Sequence, residues 1–389
     1  MWMCCKGGAV MEFRDLGRQY QQWKPRMDEA IGQVIREGRF ISGPQVGALE
    51  TSLAEYVGVK HCISCANGTD ALSLVLRAWG VGEGDAVFVP DFTFFSTAET
   101  PRDRGATPIF VDVLESTFNM DPACLEQCVL AVQKQGKLKP KAIIAVDLFG
   151  MPADYERIKA VAQKFDLLLL EDAAQGFGGS QQGKKACSFG RAAITSFFPA
   201  KPLGCYGDGG AVFTDDEALA GLVRSLAVHG RGQDKYDNVR IGVNSRLDTL
   251  QAAILQVKLE AFQACELEQV NAAAEYYTQA FGDWADTPRI PQGFTSSWAQ
   301  YTLRLRDEAQ RHTVMETLRA RGIPSMIYYA RGMHQQRAFA DLLPLQVCKC
   351  DVSASLCSRV LSLPLSPYIT RQEQEQVVAA VREALETNR

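Results

Sequence analysis

Between about residue 50 and residue 215 the chain alternates short apolar runs with amphipathic stretches, a pattern that few folds accommodate. Residues 61–65, 86–90, 108–113, 142–147, 167–172, 192–198 and 210–214 read as strands. Most are nearly continuous in Val, Ile, Leu and Phe, as strands covered on both faces must be. Residues 69–79, 152–165 and 216–228 carry helical periodicity. Pro152 suits a first helical position, where its missing N–H costs nothing. Strands joined by helical crossovers predict an α/β fold, with a mostly parallel seven-stranded sheet covered by helices on both sides.

Beyond residue 248 the pattern turns helical, with Leu250, Ile254, Val257 and Phe262 tracing an apolar stripe. The last third mixes a strand (300–305), a helix (309–321) and a final helix announced by the capping box of Thr370 and Glu373. At 389 residues the chain exceeds one core of ordinary size, since domains usually run to about 100–200 residues. The expected division is a large α/β domain over 21–264 and a smaller α+β lobe over 265–389, with 11–20 packing beside the lobe. Residues 1–10 lack the apolar run of a signal peptide. They read as an expression tag or an upstream-start extension, with Met11 as the natural start.

A net charge of −4 excludes nucleic acid as a bulk partner, because phosphate binding needs a basic face. No apolar run reaches the roughly 18 residues of a membrane helix, so no membrane partner is expected. The twelve cysteines include Cys62-x-x-Cys65 and Cys348-x-Cys350. A zinc reading would join these pairs. Against it, Cys62 and Cys65 sit in an expected strand as small hydrophobes, and none of the four histidines has ligand spacing to a cysteine. The expectation is no metal, and reduced thiols in a cytoplasmic protein.

Four segments carry chemistry. Ser196-Phe197-Phe198-Pro199-Ala200-Lys201-Pro202-Leu203-Gly204 places a lysine after an apolar strand and before a glycine-rich loop. A buried lysine loses its proton more readily, and a neutral amine is a nucleophile. The plain alternative is a surface lysine on a loop. Glu171-Asp172-Ala173-Ala174-Gln175 ends the most apolar strand, and ligands of open α/β sheets bind at such carboxyl ends. Asp172 there can face a ring nitrogen or simply cap a helix. Asn67-Gly68-Thr69-Asp70 puts a glycine at a helix N-terminus, where free N–H groups favour phosphate. Asp91-Phe92-Thr93-Phe94-Phe95-Ser96 follows a strand with aromatics that either stack on a ring or join the core.

In this order, together with Asn244-Ser245-Arg246-Leu247-Asp248-Thr249-Leu250-Gln251, the segments resemble the sugar-nucleotide aminotransferases of the DegT/DnrJ/EryC1/StrS family. The resemblance runs from about Phe13 to the end. It implies the aspartate-aminotransferase type of fold (fold type I) and pyridoxal 5'-phosphate as cofactor. Carried over motif by motif, Lys201 resembles the Schiff-base lysine and Asp172 the partner of the pyridine nitrogen. Gln175 would lie near the ring hydroxyl and Phe94 would stack on the ring. Gly68, Thr69 and Ser196 would hold the phosphate. Asn244 resembles the asparagine that reaches the neighbouring subunit's cofactor, which implies a homodimer with shared active sites.

The wording is most similar to the branch acting on 3-oxo sugars. It implies UDP-2-acetamido-2-deoxy-3-oxo-D-glucuronate as acceptor and L-glutamate as donor, supplying O-antigen precursors. Arg246 is the candidate for the uronate carboxylate, since a guanidinium binds carboxylate bidentately; an interface salt bridge is its other reading. Tyr328, Tyr329 and His229 complete the expected substrate contacts. Tyr328 and Ser366 depart from the family, which often carries histidine at both places. The competing substrate is a dTDP-3-oxo-6-deoxyhexose, then a 4-oxo sugar. A non-catalytic regulator of the same fold is disfavoured by Lys201.

Overall fold

A computed structural model describes residues 11–386 except Lys235. The segment 1–10, read above as a tag or upstream extension, lies outside the described residues. Helices α1 (Leu16–Glu37) and α2 (Pro44–Val57) precede a central sheet of β1 (His61–Cys65), β2 (Asp85–Pro90), β3 (Thr107–Val111), β4 (Lys139–Val146), β5 (Leu168–Asp172), β6 (Ala192–Ser196) and β7 (Gly210–Thr214). The strand order is β1-β7-β6-β5-β4-β2-β3. Only β7 runs antiparallel to its neighbours; the other pairings are parallel. The crossovers are α3 (Gly68–Ala78), α4 (Ser96–Asp103), α5 (Pro122–Gln135) and α6 (Tyr155–Lys164), and α7 (Glu217–Leu226) follows the last strand.

The continuous apolar runs have a direct cause, because successive residues of one strand enter different cores. Val87, Val89 and Ile144 pack with α3 and α7. Ala86, Phe88, Ile143 and Ala145 pack with α5 and α6. Each fully buried Val, Ile or Phe contributes about 1.5–3 kcal/mol of transfer free energy, so neither face can be left polar. One boundary differs from expectation. The helix foreseen from residue 152 begins at Tyr155, because Asp154 takes the capping position and accepts the Arg157 N–H at 3.3 Å. Pro152 stays outside the helix.

Helix α8 (Thr249–Ala261) leads through a π turn, Phe262–Glu266, into α9 (Leu267–Phe281). Packing partners change at that turn. Leu255, Leu259 and Phe262 lie against the sheet. Val270, Ala274, Tyr277 and Phe281 join a separate cluster with the two-stranded sheet of β8 (Tyr301–Arg304) and β9 (Val360–Leu363). That cluster also takes in α10 (Glu308–Ala320), α12 (Arg371–Glu386) and Met11, while α11 (Asp351–Arg359) leads into β9. The foreseen capping box is formed: Thr370 Oγ1 accepts the Glu373 N–H at 3.2 Å, and Glu373 accepts the Thr370 N–H at 2.8 Å. Helix α1 runs unbroken through residue 20, so the domain edge foreseen there falls inside a helix. No described helix is long and apolar enough to cross a membrane.

Two links fasten the 330–350 segment to the sheet. Asp91, fully buried at the end of β2, accepts from both the backbone N–H and Nδ1 of His334 at 2.8 Å. The pairing with Asp91 raises the His334 pKa above its ordinary value despite partial burial. The charged part of this stabilisation is complete below about pH 6.5, the unfolded value, and fades as pH rises through the folded pKa. His334→Gln is therefore expected to lower unfolding free energy by about 1–2 kcal/mol at pH 6, with a smaller loss at pH 9; paired denaturation curves at the two pH values check this. The second link is a disulfide between Cys128 and Cys348, which corrects the expectation of reduced thiols at this pair. Cys62 and Cys65 are free and buried on β1, while Cys348 is bonded to Cys128.

Candidate active site

A cavity of about 620 Å³ opens at the carboxyl ends of β2 and β5 and the N-terminus of α3. Asp172 ends β5 and is 5% exposed. Its Oδ2 accepts from Thr97 Oγ1 at 2.9 Å and its Oδ1 from the Ala174 N–H at 3.2 Å. No helix starts here, so the capping reading of Asp172 fails. Burial raises the Asp172 pKa, while the Ala174 N–H, the Thr97 hydroxyl and the Lys201 charge pull it down. The carboxylate thus sits where a cationic partner would hold it ionised.

Lys201 faces the same cavity. It lies in a tight loop after β6, where its N–H bonds to the Phe198 carbonyl at 2.8 Å. A side chain at Gly204 would meet the Pro199 carbonyl at 2.4 Å, so only glycine allows the loop to close. Desolvation lowers the Lys201 pKa to about 8, opposed by Asp172 and assisted by the Arg14 guanidinium. The side chain is half-buried rather than fully solvated, and its desolvation brings the neutral form closer to neutral pH.

Gln175 accepts the Phe149 N–H at 2.8 Å and donates to the Tyr329 hydroxyl at 3.0 Å. Phe94 lines the cavity and is 54% exposed, so its ring face is free to stack. At the opposite end, Asn67 caps α3 by accepting the Asp70 N–H at 2.8 Å. A Cβ at Gly68 would meet the Ser196 Cβ at 2.9 Å. Gly210 of β7 lies so close that its Cβ would meet the Asn67 carbonyl at 2.5 Å. The first turn of α3 is thereby pressed to the cavity wall, beside the hydroxyls of Thr69, Ser96 and Ser196. Orphan N–H groups, a helix dipole and hydroxyls form a cradle for a phosphate monoester. An aromatic face, an anion cradle, a buried carboxylate and a lysine of lowered pKa together fit pyridoxal phosphate.

Of the foreseen residues, Lys201, Asp172, Gln175, Phe94, Gly68, Thr69, Ser196, Tyr328 and Tyr329 meet in this one cavity. His229, Asn244 and Arg246 are not among its lining residues. His229 and Asn244 are exposed at the two ends of a strap bridged between Val228 and Asn244, and half-buried Arg246 follows just beyond it. The strap folds on itself, with the Val239 N–H on the Gly230 carbonyl at 3.0 Å, instead of covering the cavity. Ser366 is buried away from the cavity lining and accepts the Tyr368 N–H at 3.3 Å. Thr97 was not foreseen. Its spacing of four from Thr93, whose hydroxyl lies 3.1 Å away, was the only signal in the sequence. Gln300 was missed too, although it lines the cavity beside Tyr328 and Tyr329.

Comparisons with known proteins agree with this geometry. Residues 21–382 match the DegT/DnrJ/EryC1/StrS aminotransferase family. The chain is 44% identical to the UDP-2-acetamido-2-deoxy-3-oxo-D-glucuronate aminotransferase of Pseudomonas aeruginosa, covering 96% of this chain and 99% of that protein. It is 41% identical to a pleiotropic regulatory protein of Geobacillus stearothermophilus, over 95% of this chain and 97% of that one. A solved DegT/DnrJ/EryC1/StrS aminotransferase from Brucella abortus superposes with a TM-score of 0.93 at 47% identity, covering 96% and 99% of the two chains.

Proposed function

Because this chain belongs to the DegT/DnrJ/EryC1/StrS aminotransferase family, whose members depend on pyridoxal phosphate, we propose that it aminates C3 of UDP-2-acetamido-2-deoxy-3-oxo-D-glucuronate with nitrogen from L-glutamate. The reaction class, sugar-nucleotide amination, follows from the family. The choice of sugar is supported by the 44% identity to a relative named for that substrate. The observation that carries catalysis is Lys201, with its pKa lowered to about 8, facing the same cavity as buried Asp172.

When bound, pyridoxal phosphate supplies an electron sink for charge developing on carbon. The chain's residues do the rest. Lys201 Nζ would be the nucleophile that holds the cofactor and, as a free amine, the base that moves a proton to and from the reacting carbon. Asp172 would face the ring nitrogen and keep a proton there, while Thr97 and the Ala174 N–H fix its two oxygens. Gln175 would hold the ring hydroxyl, Phe94 would offer its face to the ring, and Gly68, Thr69 and Ser196 would hold the phosphate. Tyr328 and Tyr329 contact the sugar. In a homodimer His229 and Asn244 of the exposed strap, and Arg246 just beyond it, would reach the partner's cavity, Asn244 to hold the phosphate and Arg246 the uronate carboxylate.

A regulator of the same fold would have no use for an ionisable lysine facing the cavity. The test is visible absorption of the purified, pyridoxal-phosphate-loaded protein with L-glutamate and then with the UDP-3-oxo sugar generated in situ. Glutamate is expected to bleach the colour and the sugar to restore it, with an amino-sugar product by mass spectrometry. Bleaching without response to this sugar, and recovery with a dTDP-3-oxo-hexose, would overturn the sugar assignment alone. A protein that takes up no cofactor would overturn the enzyme.

A further inference from the structure

Three cysteines outside the cavity converge. Cys124 and Cys128 stand four residues apart on α5, which stacks their side chains on one face. Their Sγ atoms are 3.9 Å apart. Cys348 arrives across a sequence separation of 220 residues, its Cα 6.0 Å from that of Cys128. All three sulfurs lie within 4.8 Å of one another. Cys128 is buried, whereas Cys124 and Cys348 keep partial access to solvent.

The segment that brings Cys348 is anchored independently. Gln346 accepts the Phe110 N–H at 2.8 Å and donates to the Pro108 carbonyl at 3.1 Å. Asp112 accepts the N–H groups of Val352 and Ser353, each at 2.9 Å. Cys348 is therefore held against α5 whether or not its sulfur is bonded to Cys128. Such preorganisation removes much of the entropy cost of gathering ligands. The disulfide employs two of the sulfurs and gives Cys124 no partner of comparable strength. A tetrahedral metal would employ all three. Zinc–sulfur bonds of about 2.3 Å place sulfurs roughly 3.8 Å apart, close to the Cys124–Cys128 separation. Thiolates select soft or borderline ions over magnesium and calcium.

We propose that in the reduced chain Cys124, Cys128 and Cys348 bind one zinc-class metal ion, and that the Cys128–Cys348 disulfide is the oxidised counterpart of the same site. A dithiol reductant gives two electrons and two protons to the disulfide and itself becomes a disulfide. Zn²⁺ then displaces one proton from each of the three thiols. The fourth corner falls to water, because Cys350 groups with Asp91 and His334 instead. The ion ties α5 to the segment that continues from Tyr328 and Tyr329.

The test uses the pyridoxal-phosphate-loaded protein, reduced with a dithiol and freed of metal. Zn²⁺ is titrated against a chromogenic chelator, and Co²⁺ is followed by its sulfur-to-metal charge-transfer band. One equivalent per chain, with a band intensity of three thiolates, is the expected result. Cys124→Ser should weaken zinc affinity at least tenfold, by analogy with weaker outer-shell losses of about 10–100-fold. Cys265→Ser should leave it unchanged, and an unchanged visible spectrum shows that each variant folds. Should Cys124→Ser fail to fold, protection of the three thiols from alkylation by Zn²⁺ in the unaltered chain decides. Absence of stoichiometric metal, equal binding by Cys124→Ser, or equal alkylation with and without Zn²⁺ would overturn the site.

Discussion

Lys201→Ala is expected to stop turnover, with a fall of about 10⁴-fold or more, because one amine supplies both nucleophile and proton shuttle. A single-turnover assay of amine transfer checks it. The variant should still bind pyridoxal phosphate in the polar cradle, but without the absorption of cofactor fixed to the chain by a bond that borohydride reduces. If Lys201→Ala kept even a hundredth of the activity, the assignment of Lys201 would be wrong. The lysine also leaves a mark on stability. Its pKa falls on folding from an ordinary 10.5 to about 8. Between those values the unfolded chain binds more protons than the folded one, so stability of the cofactor-free protein rises with pH across that window. Below it the desolvated ammonium costs stability. Lys201→Met should therefore remove that slope, which melting temperatures at pH 7 and pH 10 would read.

Asp172→Asn is expected to cost about 10³-fold in rate, the scale of losing a preorganised electrostatic partner. Its two hydrogen-bond partners remain usable, since an asparagine oxygen accepts the Ala174 N–H and the Thr97 hydroxyl rotates to accept from the amide. The fold and the covalent capture at Lys201 should survive, so the visible spectrum stays while both half-reactions slow. A normal rate in Asp172→Asn would show that no ionised partner is needed at the ring nitrogen. Loss of cofactor binding altogether would instead make Asp172 an anchor rather than an electronic partner. The two variants separate the roles, because Lys201→Ala loses the bond to the cofactor and Asp172→Asn loses the stabilisation of charge.

Much of the large domain was legible because its signal is local. Continuous apolar runs forced strands buried on both faces, and Asn67-Gly68 and Thr370-x-x-Glu373 carry their capping chemistry in adjacent residues. The meeting of Lys201 and Asp172 in one cavity was legible for a related reason. Each ends or follows a β-strand, and strand ends in a parallel sheet are brought to one edge by topology alone. Other features were not legible. Pro152 looked like a helix start, but Asp154 competed and won through its hydrogen bond to the Arg157 N–H. Cys348 carried no local sign of Cys128, 220 residues away, to which the fold delivered it on α5.

The sequence by itself determined the sheet and its buried strands and put Lys201 and Asp172 at strand ends, because periodicity and strand ends are properties of neighbouring residues. Only the tertiary structure decided the desolvation of Lys201, the Thr97 support of Asp172, the pairing of Asp91 with His334 and the meeting of Cys124, Cys128 and Cys348. Those depend on desolvation and on distances between residues far apart in the chain, and neither is a property of any local stretch of sequence.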